Sequence, residues 1–201
     1  VIDGSKLIAA GITLKKGDPW DIVTGEIKVK LGEAIPLGTV LTLPATSSEM
    51  NGTSVISRRP TDQKYGWQSE AVFPVFSILD PTTTYSLPKK QVRNGIVDAY
   101  VHVIEQYVTY PVNAKLQDRQ AEAILLTLQD MAEGALKMPP DYESRANLMW
   151  TVTNALNRLI GKGVPTDFAT LAIGHELTAL YGIAHAESLA VVLPYLLWYK
   201  R

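Results

Sequence analysis

The hydrophobic pattern of this chain changes its period once, near Pro88, and that change constrains the fold more than any composition figure. Before it, apolar residues come in short, nearly continuous runs. IPLGTVLTLPAT at 35–46 and PVFSILDP at 74–81 read as buried strands, the second closed by Pro81. Val55–Ser57 and Lys64–Trp67 read as shorter strands. After Pro88 the spacing is helical: Ile124, Leu125, Leu128 and Leu136 fall on one face of a helix expected over 114–137, preceded by another over 91–109. A third helix is expected to start in PPDYESR at 139–145 and run through Leu148, Val152, Leu156 and Leu159 to Gly161 and Gly163. Pro165, Thr166 and Asp167 signal the start of a fourth, Gly182 its stop, and a last one begins near His185. One more helix opens the chain, with Gly11 expected as its left-handed C-terminal cap. The connector at 12–34 is polar, and Trp20 and Ile22 are expected to anchor it. An α/β segment followed by an all-helical one is predicted, packed around a shared cleft.

With 46% hydrophobic and 19% charged residues, 201 residues can bury a sizeable core. A net charge of −1 gives no electrostatic footprint for nucleic acid or an anionic membrane. The longest apolar run, LAVVLPYLLWY at 189–199, is broken by Pro194 and falls short of a membrane span, which takes about 20 residues. It reads as a core helix. The chain has no cysteine, so a metal would be held by His, Asp, Glu or backbone oxygen, and a cytoplasmic setting fits.

Chemistry concentrates in few residues. The three histidines are His102, His175 and His185, the last two inside one 21-residue apolar stretch, 167–187. Asp98 and His102 lie four apart on one helix face. A pair of this kind is often only a solvated ion pair or a buried hydrogen bond. Here it sits among Ile96, Val97, Val101, Val103 and Ile104, where a carboxylate is costly to desolvate and needs a partner. A divalent metal such as Zn or Fe is one such partner, with the other histidines converging from a second helix. The stretch TSSEMNGTS, Thr46 to Ser54, follows a buried run and could meet a phosphate or an amide; read alone, it is more simply a Ser/Thr turn.

NGIVDAYVHVIEQYVTYPVNAKLQDRQAE, with TLPATSSEMN before it and GHELTALYGIAHAESLAVVLP after it, resembles the iron-containing alcohol dehydrogenase family, and most its butanol dehydrogenase and broad-range aldehyde reductase branch. The resemblance implies a dehydroquinate synthase-like fold, here truncated at both ends. Residues 1–87 would be the remainder of an α/β dinucleotide-binding domain that lacks its glycine-rich phosphate loop. Residues 88–201 would be an incomplete all-helical metal-binding domain, with the catalytic cleft between the two.

Carried over by motif, Asp98, His102 and His185 would be ligands of one divalent metal, Fe or Zn, and His175 would relay the alcohol proton. Thr42, Thr46, Ser48, Asn51 and Lys64 would line the cofactor, NADP(H) in preference to NAD(H). The implied activity is interconversion of small aliphatic aldehydes and alcohols by a homodimer, the chain being inactive by itself. One departure stands out: the family commonly has a further ligand histidine where L-A-I-G-H places Leu171. The competing reading is a metal-free or inactive family remnant that serves as a binding or oligomerisation module.

Overall fold

The computed structural model describes all residues, Val1–Arg201, in two units by contact: Val1–Val40 with Ser48–Ile78, and Leu41–Ser47 with Leu79–Arg201. In the first, helix α1 (Ile2–Gly11) brings Leu7 and Ala10 against Ile22 and Val23 of the one-turn helix α2 (Trp20–Val23), and against Trp67 and Val72. This cluster accounts for the anchoring of the 12–34 connector. Trp20 also lies 5.9 Å from the Tyr65 ring and carries the Arg58 guanidinium 5.4 Å above its own. Gly11 is the last helical residue, but Ile12 after it stays right-handed at φ −66°, so the predicted left-handed cap is absent.

The first and last strands are shorter than the apolar runs that predicted them, and the two between them are longer than expected. β1 (Gly38–Val40) pairs in parallel with β4 (Phe76–Ile78), and β2 (Thr53–Arg58) forms an antiparallel hairpin with β3 (Gln63–Gln68). Pro36, Pro44, Pro74 and Pro81 have no N–H to give a ladder, which confines pairing in both apolar runs to three residues. Nor are β1 and β4 buried on both faces: Val40, Phe76 and Ile78 are exposed and only Thr39 is enclosed.

The second unit is helical. α3 (Lys89–Tyr107), α4 (Lys115–Ala135) and α5 (Tyr142–Ala155) enclose Val92, Ala99, Val103, Ala121, Leu128, Leu148 and Val152. A smaller cluster joins Val101 of α3 to Leu171 of α6 (Ala169–Tyr181) and Leu189 of α7 (His185–Lys200). α3 is thus central, with Val92, Ala99 and Val103 serving one neighbour set and Val97 and Val101 the other. α5 stops at Ala155, well before the predicted Gly161. The Ser47 hydroxyl donates to the Val152 carbonyl at 2.8 Å and accepts from the Leu156 N–H at 3.0 Å, inserting into the helical ladder at that point.

α7 is not the core helix expected from its composition. Ala186, Ser188 and Leu189 are buried, while Val191, Tyr195, Trp198 and Tyr199 are exposed, because α3 and α6 cover one side of a helix that is apolar all round. No helix is long and apolar enough to cross a membrane.

The 41–47 segment is fastened to the helices at three points. Besides Ser47, the Thr83 hydroxyl donates to the Leu41 carbonyl at 2.7 Å, and Gly95 of α3 lies so close that a Cβ there would be 2.2 Å from the Pro44 carbonyl oxygen. Gly95→Ala is therefore expected to destabilise the protein by about 1–3 kcal/mol, the usual cost of an overpacked contact. Urea unfolding followed by circular dichroism would check it, and an unchanged midpoint would mean that the segment yields.

Candidate active site

α3 spaces Asp98, His102 and Glu105 at i, i+4 and i+7, so the three polar side chains leave one face of an otherwise apolar helix, and all three are buried. The Asp98 carboxylate stands 3.7 Å from His102 Nδ1 and 3.9 Å from His185 Nε2. Both separations exceed hydrogen-bond reach. His102 Nδ1 is buried without a hydrogen bond. Burial pushes the His102 imidazole down to about 4, against the pull of the nearby Glu105 charge, so at neutral pH the ring is uncharged and keeps a lone pair to offer.

His185 opens α7 and His175 sits mid-way along α6, their rings 4.8 Å apart and 36° from parallel. Gly174 makes that approach possible, since a Cβ there would be 2.7 Å from Leu189 Cδ2. Across the same contact the Ser188 hydroxyl bonds the carbonyls of His185, at 2.7 Å, and Gly174, at 3.2 Å. The four residues read from the sequence as metal site and relay are thereby brought into one region of one unit.

Two ligands of a single ion with bonds of about 2.0–2.2 Å can lie no more than about 4.4 Å apart. The pairs at 3.7 and 3.9 Å satisfy that limit, and one carboxylate with two imidazoles is a donor set suited to Fe or Zn. As they stand the side chains do not close into one group of three. Leu171, on the turn of α6 before His175, is buried against Val101 and Leu189 and adds an apolar wall in place of a donor.

Glu105 was not singled out in the sequence. Its Oε1 accepts from the Thr170 N–H at 2.6 Å and its Oε2 from the Leu171 N–H at 3.1 Å, while its backbone oxygen accepts from the Asp167 N–H at 3.0 Å. A carboxylate from α3 therefore caps the N-terminus of α6, where orphan N–H groups and the helix dipole both favour negative charge. Glu105, like Asp98, is a carboxylate in an apolar run that must find partners, and on that ground it is legible in the sequence.

The residues read as cofactor-binding are distributed differently. Ser48 and Asn51 are buried together in the first unit, both bonded to Lys6 Nζ, which the sequence reading also missed. Lys64 lies half-buried on β3, opposite Ser57 of β2. Thr42 and Thr46 are exposed and belong, with the rest of 41–47, to the helical unit.

Residues 1–81 match the family model for iron-containing alcohol dehydrogenase, and residues 93–201 match that for the C-terminal part of the Fe-containing alcohol dehydrogenase family. This chain belongs to the iron-containing alcohol dehydrogenase family. It is 56% identical over 203 residues to the NADPH-dependent aldehyde reductase YqhD of Escherichia coli, covering 100% of this chain and 52% of that protein. To the probable NADH-dependent butanol dehydrogenase 1 of Bacillus subtilis it is 46% identical, over 96% of this chain and 49% of that one. The crystal structure of E. coli YqhD superposes with a TM-score of 0.95 at 55% identity, over 100% of this chain and 51% of that one. That of the NADH-dependent butanol dehydrogenase A of Thermotoga maritima gives 0.92 at 40% identity, over 99% and 49%. The chain spans about half the length of the curated relatives it matches. These likenesses match the expected architecture, part of an α/β domain followed by an all-α domain.

Glu105→Ala is expected to lower stability by about 3 kcal/mol, since two buried charge-assisted bonds are lost and their donors left unmet. Hydrogen exchange at the Thr170 and Leu171 amides should quicken before that of the rest of α6. Equal protection in variant and parent would contradict the capping role.

Proposed function

We propose that the protein is a metal-dependent oxidoreductase that interconverts aldehydes and primary alcohols with NAD(P)H, in which Asp98, His102 and His185 hold one divalent cation and His175 moves the proton. The observation that carries this reading is the buried Asp98 carboxylate poised between two imidazoles, at 3.7 and 3.9 Å, with a third ring 4.8 Å beyond. When bound, an Fe or Zn ion supplies Lewis acidity toward a carbonyl oxygen and a nicotinamide supplies hydride.

The chain's own residues do the rest. Asp98 brings the negative charge that a cationic site needs, and His102, uncharged by burial, brings a neutral donor. A ring nitrogen of His175 gives a proton to the product oxygen as the alcohol forms, and takes it back in the oxidative direction. Val97, Val101, Leu171 and Leu189 line the adjoining interior and keep it dry, which strengthens the electrostatic interactions within it. On the cofactor side, Thr42, Thr46, Ser48, Asn51 and Lys64 are assigned to binding, with NADP(H) preferred over NAD(H). The 56% likeness to a reductase named NADPH-dependent, against 46% to a dehydrogenase named for NADH, supports that order. Small aliphatic aldehydes, a homodimer and a cytoplasmic setting complete the proposal.

A metal-free reading has two observations in its favour: Leu171 fills its position with a packed side chain, and the donors do not close as a group. Elemental analysis of the intact protein, beside NADPH-linked reduction of butanal and the same assays on Leu171→His, separates the two. Stoichiometric metal with turnover in the unaltered protein is expected. Absence of both, with recovery of both in Leu171→His, would sink the metal-dependent reading. His175→Ala should lower turnover more than metal content; a variant that kept its rate and lost its metal would reverse the roles assigned here.

A further inference from the structure

Lys6 of α1 is fully enclosed, although the helix around it is amphipathic and offers solvent on one side. Its Nζ donates to Ser48 Oγ at 2.9 Å and to the backbone oxygens of Asn51 and Thr53 at 2.8 Å each, with Asn51 Oδ1 at 3.3 Å. The Ser48 hydroxyl gives its own proton to Asp3 Oδ1, so toward Lys6 it can only accept. Three acceptors at 2.8–2.9 Å need three N–H groups, which an ammonium has and a neutral amine lacks. Lys6 is therefore charged, with its counter-charge on Asp3 one hydroxyl away.

The network continues around the turn. Asp3 Oδ2 accepts from the Val55 N–H at 2.7 Å, the Asp3 carbonyl accepts from Ser54 Oγ at 2.8 Å, and Asn51 Oδ1 accepts from the Thr53 N–H at 2.9 Å. The hydroxyls of Ser48 and Ser54 and the amide oxygen of Asn51 are thus all engaged inside the unit, with α1 or with the turn itself. A buried ammonium is an expensive way to fill space, since an apolar residue of similar volume often serves stability as well. What it fixes is geometry: three acceptors converge on one nitrogen.

We infer that Lys6, assisted by Asp3, is the positioning residue of the Ser48–Thr53 turn and sets that backbone for the phosphate-bearing dinucleotide. Ser48 and Asn51 act within the network as its keystones. This rests on the reading above that the turn meets the cofactor.

The test uses the intact protein, with NADPH titrated by its fluorescence and by steady-state kinetics. Lys6→Met is expected to raise the NADPH Kd and the cofactor KM by about tenfold, equivalent to about 1.4 kcal/mol of lost binding, while kcat at saturating NADPH stays within about threefold. Lys6→Gln, which keeps a shorter donor, should fall between Lys6→Met and the parent. A lowered melting temperature with a cofactor Kd within about twofold of the parent would make Lys6 plain scaffolding and overturn the inference. So would loss of the fold in both variants. Ser48→Ala and Asn51→Ala provide the separate control. If neither they nor Lys6→Met moves the cofactor Kd, the turn does not serve the cofactor and the underlying reading fails. If they move it and Lys6→Met does not, only the role of Lys6 falls.

Discussion

The helical unit depends on one carboxylate. Glu105, buried one turn beyond His102, satisfies two orphan amides of α6 and so fixes that helix against α3. Burying a carboxylate is unfavourable unless its oxygens are fully used, and a helix N-terminus left without acceptors is unfavourable too; each defect cancels the other. Everything carried by α6, including His175 and the buried Leu171, is registered against Asp98 and His102 through that contact. The α6 to α7 approach at Gly174 then extends the register to His185.

The donor cluster is thus assembled from helices whose own periodicity says little about their pairing. Asp98 and His102 were legible because four residues on one helix face is local geometry. Placing His175 beside His185 needed the three residues from Gly182 to Ala184 to bring α7 back along α6, and Gly182, left-handed at φ 66°, marks that stop as the sequence indicated. What the pattern could not convey was which polar residues would turn inward. Lys6 and Ser47 look ordinary in sequence, and their roles come from acceptors or donors between 42 and 109 residues away.

The departures from expectation share a cause. Apolar character predicts that a segment seeks cover, not that it has it, so the runs at 35–46 and 74–81 and the helix at 185–200 were read as more deeply buried than they are. Proline set the strand limits more sharply than hydrophobicity did. α5 ended early for a reason no propensity contains, a hydroxyl from a distant loop taking the place of a ladder bond. Leu171 is the reverse case, an apolar residue that is buried but occupies space within reach of polar chemistry, where it trades a possible ligand for dryness.

The three fastenings of residues 41–47 have a geometric consequence. Although this stretch directly follows β1 in sequence, it is referenced to α3, α5 and the turn at Pro81–Thr84 rather than to the strand it leaves. Thr42 and Thr46 therefore share a datum with Asp98 and His102. The spacing between these threonines and the histidine cluster is set inside a single packed body, as two marks scribed on one block of metal keep their distance however the block is handled.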